Sequence, residues 1–304
     1  MGRLGDAGLF VVLAAAWGTA FTAIKAGLAF FPPVLFAAIR YDLAGLLMVG
    51  YAAYATDRWR PRRRAEWLSV GIGGTLMIGA YHAFLFVGEQ GTTSAAAAIV
   101  VSLSPILTTG FARALLPDER LGPAGVAGLV VGVAGVVVLS DPDPGNLVDA
   151  RTASLGLVFV AVAAFALGSV LARRVEDGVP VETMEAWSML LGAGLLHAAS
   201  AALGESPAAV RWTAEAALAL GYLVVVASAL GFLIYFALLD RLGPIEINLV
   251  SYAAPVAAAV TGVVFLGETP TLSTVLGFAV ITAGFALLKR SALRAELRRL
   301  RQPD

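Results

Sequence analysis

Six ionisable side chains fall inside long apolar runs of this chain: Lys25, Arg40, Asp42, His82, His197 and Glu246. Such groups are costly at membrane depth and usually face a cavity or a partner. Arg40 and Asp42 are two residues apart, about 200° around a helix, so they point to nearly opposite faces and do not pair. Arg40 lies about two helical turns beyond Pro32-Pro33. It is placed either to attract an anionic group such as a carboxylate, or to bond to carbonyls or to an acid on a neighbouring helix. Lys25 is a second candidate for an anion. His82 has Thr75 and Glu89 seven residues to either side and Tyr81 beside it. That stripe reads as a cavity wall, where an imidazole can bind solute or pass a proton because it titrates near neutrality. The alternative is a histidine satisfied by one neighbouring hydroxyl. His197 has no polar stripe and reads as structural.

A second group of residues lies in the other half of the chain. Asn248, Tyr252 and Pro255 recur at i, i+4 and i+7 and so share a helix face, flanked by Glu246 and Ser251. A proline inside a helix frees a carbonyl, which at mid-depth must be met by protein or by a cavity. Ser102, Ser104, Pro105, Thr108 and Thr109 repeat the arrangement earlier in the chain. Pro105 and Pro255 are therefore candidate gate or hinge positions, or kinks that only shape packing. Ser228, Gly231 and Tyr235 lie on one face of their helix, and Trp17 lies mid-helix, away from the interfacial belt where tryptophan is common.

Other chemistry is excluded or unsupported. The chain has no cysteine and two histidines, so thiolate catalysis, disulfides and Cys-ligated metals are out, and a His-based metal site has few ligands. The acidic turn from Asp141 to Asn146 lacks the spacing and terminal Glu of a calcium loop. Ser206 has no evident base, and the Arg58–Arg64 cluster, beside a helix end, reads as an anchor to anionic lipid rather than to nucleic acid. No catalytic residue, metal or cofactor is expected.

These residues must be positioned by helices. Of 304 residues, 59% are hydrophobic and only 14% charged, with 33 glycines and a mean hydropathy of +0.84. The polar surface is too small for a soluble body. Apolar stretches of about 20 residues span a bilayer as helices, and they run roughly 7–29, 34–55, 67–88, 93–115, 121–140, 154–172, 182–203, 213–238, 245–266 and 272–289. The expected fold is an all-α integral membrane protein of ten transmembrane helices. The first stretch is too long, and lacks the cleavage pattern, for a removable signal peptide.

Orientation follows from the basic residues. With the N-terminus inside, Arg3, the cluster from Arg58 to Arg64, Arg113, Arg120, Arg173, Arg174, Arg241 and the tail from Lys289 to Arg301 are all cytoplasmic, 17 of the 21 lysines and arginines. The opposite loops carry Glu89, Asp141, Asp143, Asp149, Glu205, Glu215 and Glu268. Both termini are expected in the cytoplasm.

The chain also repeats. Trp17-Gly18-Thr19 precedes Leu167-Gly168-Ser169 by 150 residues, as Pro105 precedes Pro255. Glu119, Gly128 and Gly135 precede Glu268, Gly277 and Gly284 by 149, and Pro33 and Gly45 precede Pro180 and Gly192 by 147. A unit of five helices copied once must enter the membrane from the opposite side, giving two inverted five-helix repeats, a signature of secondary transporters. Gly128, Gly132 and Gly135 are spaced for close helix packing, either at the pseudo-dyad or in a homodimer.

On Trp17-Gly18, Pro33, Arg40, Pro105 with Glu119, and Gly243-Pro244 through Pro255 to Leu266-Gly267-Glu268, the chain resembles the EamA-type drug/metabolite transporter superfamily. The resemblance spans residues 7–290. It divides the chain into a first EamA-like repeat at 1–140, a second at 154–290 and a basic cytoplasmic tail at 291–304. It implies a ten-helix carrier with a central cavity lined mostly by helices 1, 3, 4, 6, 8 and 9, moving amino acids, other metabolites or drugs, often outward. Its helix-2 arginine falls at Arg40 and its helix-end acids at Glu119 and Glu268, although Pro117-Asp118-Glu119 departs from Gly267-Glu268.

The expected function is a non-enzymatic secondary transporter in the cell membrane. It moves a small organic solute by alternating access, as export, with Trp17, Arg40, Tyr81, His82, Tyr235, Asn248 and Tyr252 contacting solute. Its partners are the solute and the lipid bilayer, as monomer or homodimer and without nucleic acid. The alternatives are an intramembrane enzyme or a non-transporting receptor or scaffold.

Overall fold

A computed structural model of the chain describes residues 3–115, 123–141, 149–175, 178–242, 247, 249–288 and 290. Among them there is no strand. The helices are α1 (Arg3–Gly27), α2 (Pro33–Ala55), α3 (Arg64–Glu89), α4 (Ser94–Leu115), α5 (Pro123–Ser140), α6 (Ala150–Arg174) and α7 (Val181–Ala202). Next comes α8, running through Ala214–Gly221, Tyr222–Leu230 and Gly231–Leu242, then α9 (Val250–Leu266) and α10 (Leu272–Leu288).

Seven of the described helices are long and apolar enough to cross a membrane, and α9 and α10 are shorter apolar helices. The seven do not include α7, which opens on two acids, Glu182 and Glu185, within its first five residues. The protein is a multi-pass membrane protein.

Local chemistry sets the helix ends. Pro32 and Pro33 open α2, where a fixed φ and a missing N–H cost nothing. Thr93, Asp149 and Thr213 cap α4, α6 and α8 by accepting from the backbone N–H of Ala96, Thr152 and Ala216. Gly267 ends α9 in the left-handed conformation, φ 65°.

Small residues line the closest helix contacts, as packing in lipid favours, with large side chains such as Phe36, Met48 and Phe86 filling the interior between them. Every residue from Ser94 to Val100 is buried, so the first turns of α4 form a thin central rod. Val126, Val130, Val137, Val264, Phe265 and Val275 are exposed on the periphery.

A close backbone crossing pairs α5 with α10. A Cβ on Gly128 would lie 2.6 Å from the Gly284 carbonyl oxygen, and one on Gly284 would lie 2.6 Å from the Gly132 amide nitrogen. A Cβ on Gly135 would meet the Gly277 carbonyl oxygen at 3.1 Å. These glycines thus serve contact within one chain. Elsewhere α2 packs on α7, α1 on α8 and α9, and α6 on α3 and α4.

Two helices are wound differently from the rest. In α3 the segment Gly73–Ala80, and in α8 the segment Tyr222–Leu230, are π-helical. Such segments are rare and concentrate at functional sites. Helix α4 is interrupted by a turn at Ser102–Leu103, just before Pro105, whereas α9 continues regularly through Pro255.

Candidate functional site

Arg40 and Tyr41 project from α2 into the bundle, and α3 brings Tyr81 and His82 to meet them. The Tyr41 hydroxyl and His82 Nε2 are 2.7 Å apart, and His82 Nδ1 lies 3.0 Å from the Ile78 carbonyl oxygen. Since a carbonyl only accepts, Nδ1 donates and Nε2 accepts from Tyr41. The imidazole is also packed by the rings of Tyr41, Tyr81 and Phe86. His82 is 6% exposed and has both nitrogens occupied, so its ring is held by one neighbouring hydroxyl and one carbonyl.

Arg40 is different. It is 7% exposed, its guanidinium carbon lies 5.0 Å from the Tyr41 ring centroid, and it makes no hydrogen bond or ion pair among the described residues. Its neighbour Asp42 faces outward, where its carboxylate meets His197 Nε2 at 2.7 Å. The pair on α2 therefore splits as the helix period requires.

Glu89 is the second unpartnered group. The sequence places it with the acids of the outer loops, but at the end of α3 it is fully buried and neither carboxylate oxygen has a hydrogen-bond partner among the described residues. Lys25, Glu268 and Arg40 all act on it electrostatically. Lys25 is committed elsewhere: its ammonium donates to the carbonyls of Glu89 and Gln90, each at 2.8 Å. It is thus a clamp on the end of α3 rather than a free anion site.

The expected stripe of Thr75, His82 and Glu89 does not form one face. His82 and Glu89 are buried, while Thr75 is exposed and donates to the Gly71 carbonyl. The π segment between them adds a residue to the turn, so a spacing of seven no longer returns to the same side.

Trp17 and Tyr235 form a separate aromatic group between α1 and α8, with ring centroids 5.5 Å apart and Phe232 edge-on to Trp17 at 6.1 Å. The indole N–H donates to the Ala227 carbonyl at 3.0 Å, a group in the π segment of α8, and Gly231 leaves room for the ring. The polar atom of Trp17 is thus occupied by protein. Tyr252 packs on Phe285 at 4.4 Å with its buried hydroxyl unpartnered. Asn248, Glu246, Gly243-Pro244, Asp118 and Glu119 lie outside the described residues.

Two site residues escaped the sequence reading. Tyr41 looks like one more apolar position of α2 until its hydroxyl is seen on His82. Glu185 of α7, not singled out from the sequence, lies within electrostatic reach of both Tyr41 and Tyr235. Among the described residues no three His, Asp or Glu side chains gather as a metal site. What the geometry offers is a buried cation, aromatic faces and two carboxylates, which suits noncovalent recognition of a small polar solute.

The EamA-like transporter family matches the chain over residues 6–141 and again over 152–290. The chain is 26% identical over 275 residues to an "Uncharacterized transporter" of Archaeoglobus fulgidus, covering 90% of this chain and 95% of that one. It is 28% identical to the "Uncharacterized inner membrane transporter YedA" of Escherichia coli K12, covering 90% and 86%. A "Probable amino-acid metabolite efflux pump" of Salmonella typhimurium is 29% identical over 291 residues, covering 92% and 93%. One solved structure superposes with a TM-score of 0.65 at 26% identity, covering 97% of this chain and all of the other.

Proposed function

The chain belongs to the EamA-like transporter family, and from that premise we propose that it exports a small organic solute across the cytoplasmic membrane by alternating access. The observation that carries this reading is Arg40, a buried guanidinium whose Nε has no hydrogen-bond partner among the described residues, set over Tyr41 beside the fixed His82. A charge left unpaired in a low-dielectric interior is destabilising, and an anionic solute group arriving there removes that cost. The Salmonella efflux pump's name supports amino acids as the first solutes to try.

The architecture in this proposal is ten crossings in two inverted repeats, with both termini cytoplasmic. Several observations support it. The family matches twice, once on each half. The π segments start at Gly73 and Tyr222, 149 residues apart, the same offset that relates Gly128 to Gly277 and Gly135 to Gly284. Exchanging the halves turns the contact of Gly128 with Gly284 into that of Gly277 with Gly135, as a two-fold axis in the membrane plane demands. The same exchange turns the packing of α1 on α9 into that of α6 on α4. The arginine-rich connections then lie inside and the acidic ones outside. Pro105, at the break in α4, is the gate bend; Pro255 is its counterpart in α9.

The test is flux of labelled amino acids in proteoliposomes. The wild type accelerates efflux, and Arg40→Met, which keeps the stem and removes the charge, abolishes it. Flux equal to that of empty liposomes for every solute tried overturns the reading in favour of a non-transporting membrane protein.

A further inference from the structure

The connections that the proposal puts outside are joined by charged side chains that bind backbone, not each other. Glu205, in the loop after α7, accepts from the amide N–H of Val34 at 3.0 Å and of Leu35 at 2.7 Å, the first turn of α2. Helix α2 opens on prolines and has no side-chain cap of its own. Glu268, just past α9, accepts from the Ser94 N–H at 3.0 Å and from its hydroxyl at 3.2 Å, at the start of α4. In both cases a carboxylate of the second half caps the positive end of a helix of the first half, where charge and orphan donors favour it. Gly262 is the residue that lets the Glu268 side chain fold back onto α9.

The opposite end of the bundle is built differently at the one position where the comparison can be made. Glu205 lies three residues beyond the end of α7 at Ala202, and Arg58 lies three beyond the end of α2 at Ala55. The two are counterparts at the offset of 147 that relates Pro33 to Pro180. Arg58 cannot accept a hydrogen bond. It donates to the Gly178 carbonyl at 2.9 Å and pairs with Glu66, and α7 begins with no side-chain cap. The carboxylate clamp has been kept at one mouth and inverted in charge at the other.

We infer that Glu205 and Glu268 are positioning residues that hold the external mouth shut, so that the carrier rests closed to the outside and breaks both clamps to release solute. This rests on the transport reading and its assignment of sides. Each clamp contributes charge-assisted hydrogen bonds made only in the closed arrangement, so removing the charges shifts the closed-to-open ratio by about tenfold or more.

The chain has no cysteine, so one reporter thiol can be introduced. Ser102 is fully buried and lies eight residues beyond Ser94, about 12 Å deeper along α4. Ser102→Cys in the full-length protein, in oriented vesicles, is labelled with a membrane-impermeant maleimide from each side. The expected result is slow labelling from outside, accelerated about tenfold by Glu205→Gln with Glu268→Gln, and unchanged by Glu215→Gln, an acid of α8 outside the clamp. Unchanged external labelling in the double variant overturns the inference. So does an equal acceleration from both sides, which marks mere loosening. Solute flux in the same vesicles separates the two claims: intact flux with unchanged labelling overturns the clamp alone, whereas absent flux with side-dependent labelling overturns transport alone.

Discussion

The Tyr41 hydroxyl donates to His82 Nε2 across 2.7 Å, inside the bundle and away from solvent. With Nδ1 committed to the Ile78 carbonyl, the ring has one tautomer and one orientation. Tyr41→Phe leaves a buried acceptor unmet and lowers stability by about 1–3 kcal/mol. Adding His82→Phe to that background costs less than His82→Phe does alone, because the partner is already gone. Denaturant unfolding of the two single variants and the double variant gives the coupling directly.

Two buried carboxylates should respond oppositely to the same substitution. Glu66, 1% exposed, accepts from the amide N–H of Arg62 and Arg63 and pairs with Arg58 and Arg63. Glu66→Gln lowers the thermal midpoint, at a cost of about 1–3 kcal/mol. Glu89 accepts no hydrogen bond among the described residues, and Glu89→Gln leaves the midpoint unchanged or raises it. A fall in both variants alike would show that Glu89 has a partner in solution.

Glycines differ by what faces them. Gly284→Ala places a methyl group into the backbone of α5 and costs about 3 kcal/mol, at the severe end of overpacking. Nothing lies within 4 Å of a Cβ on Gly194 in α7, so Gly194→Ala stabilises by about 1 kcal/mol through helix propensity. Midpoints of the two purified variants decide this.

Asp149 caps α6 by accepting from the Thr152 N–H at 2.6 Å, and that bond holds its carboxyl below the ordinary aspartate range. A depressed native value means that its contribution is complete above the unfolded value, about 4, and is lost as pH falls through the native one. The midpoint of the wild type therefore declines below about pH 4 more steeply than that of Asp149→Asn, which keeps a cap without the charge.

Much of this molecule is legible in its residue order, for reasons that also mark where reading stops. Arg40 stands out because an arginine two turns into an apolar helix has few uses, and the structure indeed leaves it buried. The spacing of Gly128, Gly132 and Gly135 announces a close helix contact, but not whether it lies within the chain or in a dimer. Tyr41 does not stand out, since a tyrosine between Arg40 and Asp42 in an apolar helix signals nothing of its own until another helix offers it a nitrogen. Glu89 and Glu185 lie near the ends of apolar runs, where hydropathy cannot tell a residue that turns inward from one that turns to water. The misplacement of Thr75 has a sharper cause: periodicity assumes one winding, and α3 changes winding between Gly73 and Ala80.

The glycine crossing of α5 and α10 also constrains how the halves can move. Two backbones in contact at Gly128, Gly132, Gly135, Gly277 and Gly284 can roll on each other but cannot draw apart without opening a void that no side chain is there to fill. In the proposed alternating-access cycle, the crossing is the expected fulcrum. On that proposal displacement is smallest at the crossing and grows with distance along each lever arm, which would move the two mouths in antiphase about a seam that stays dry.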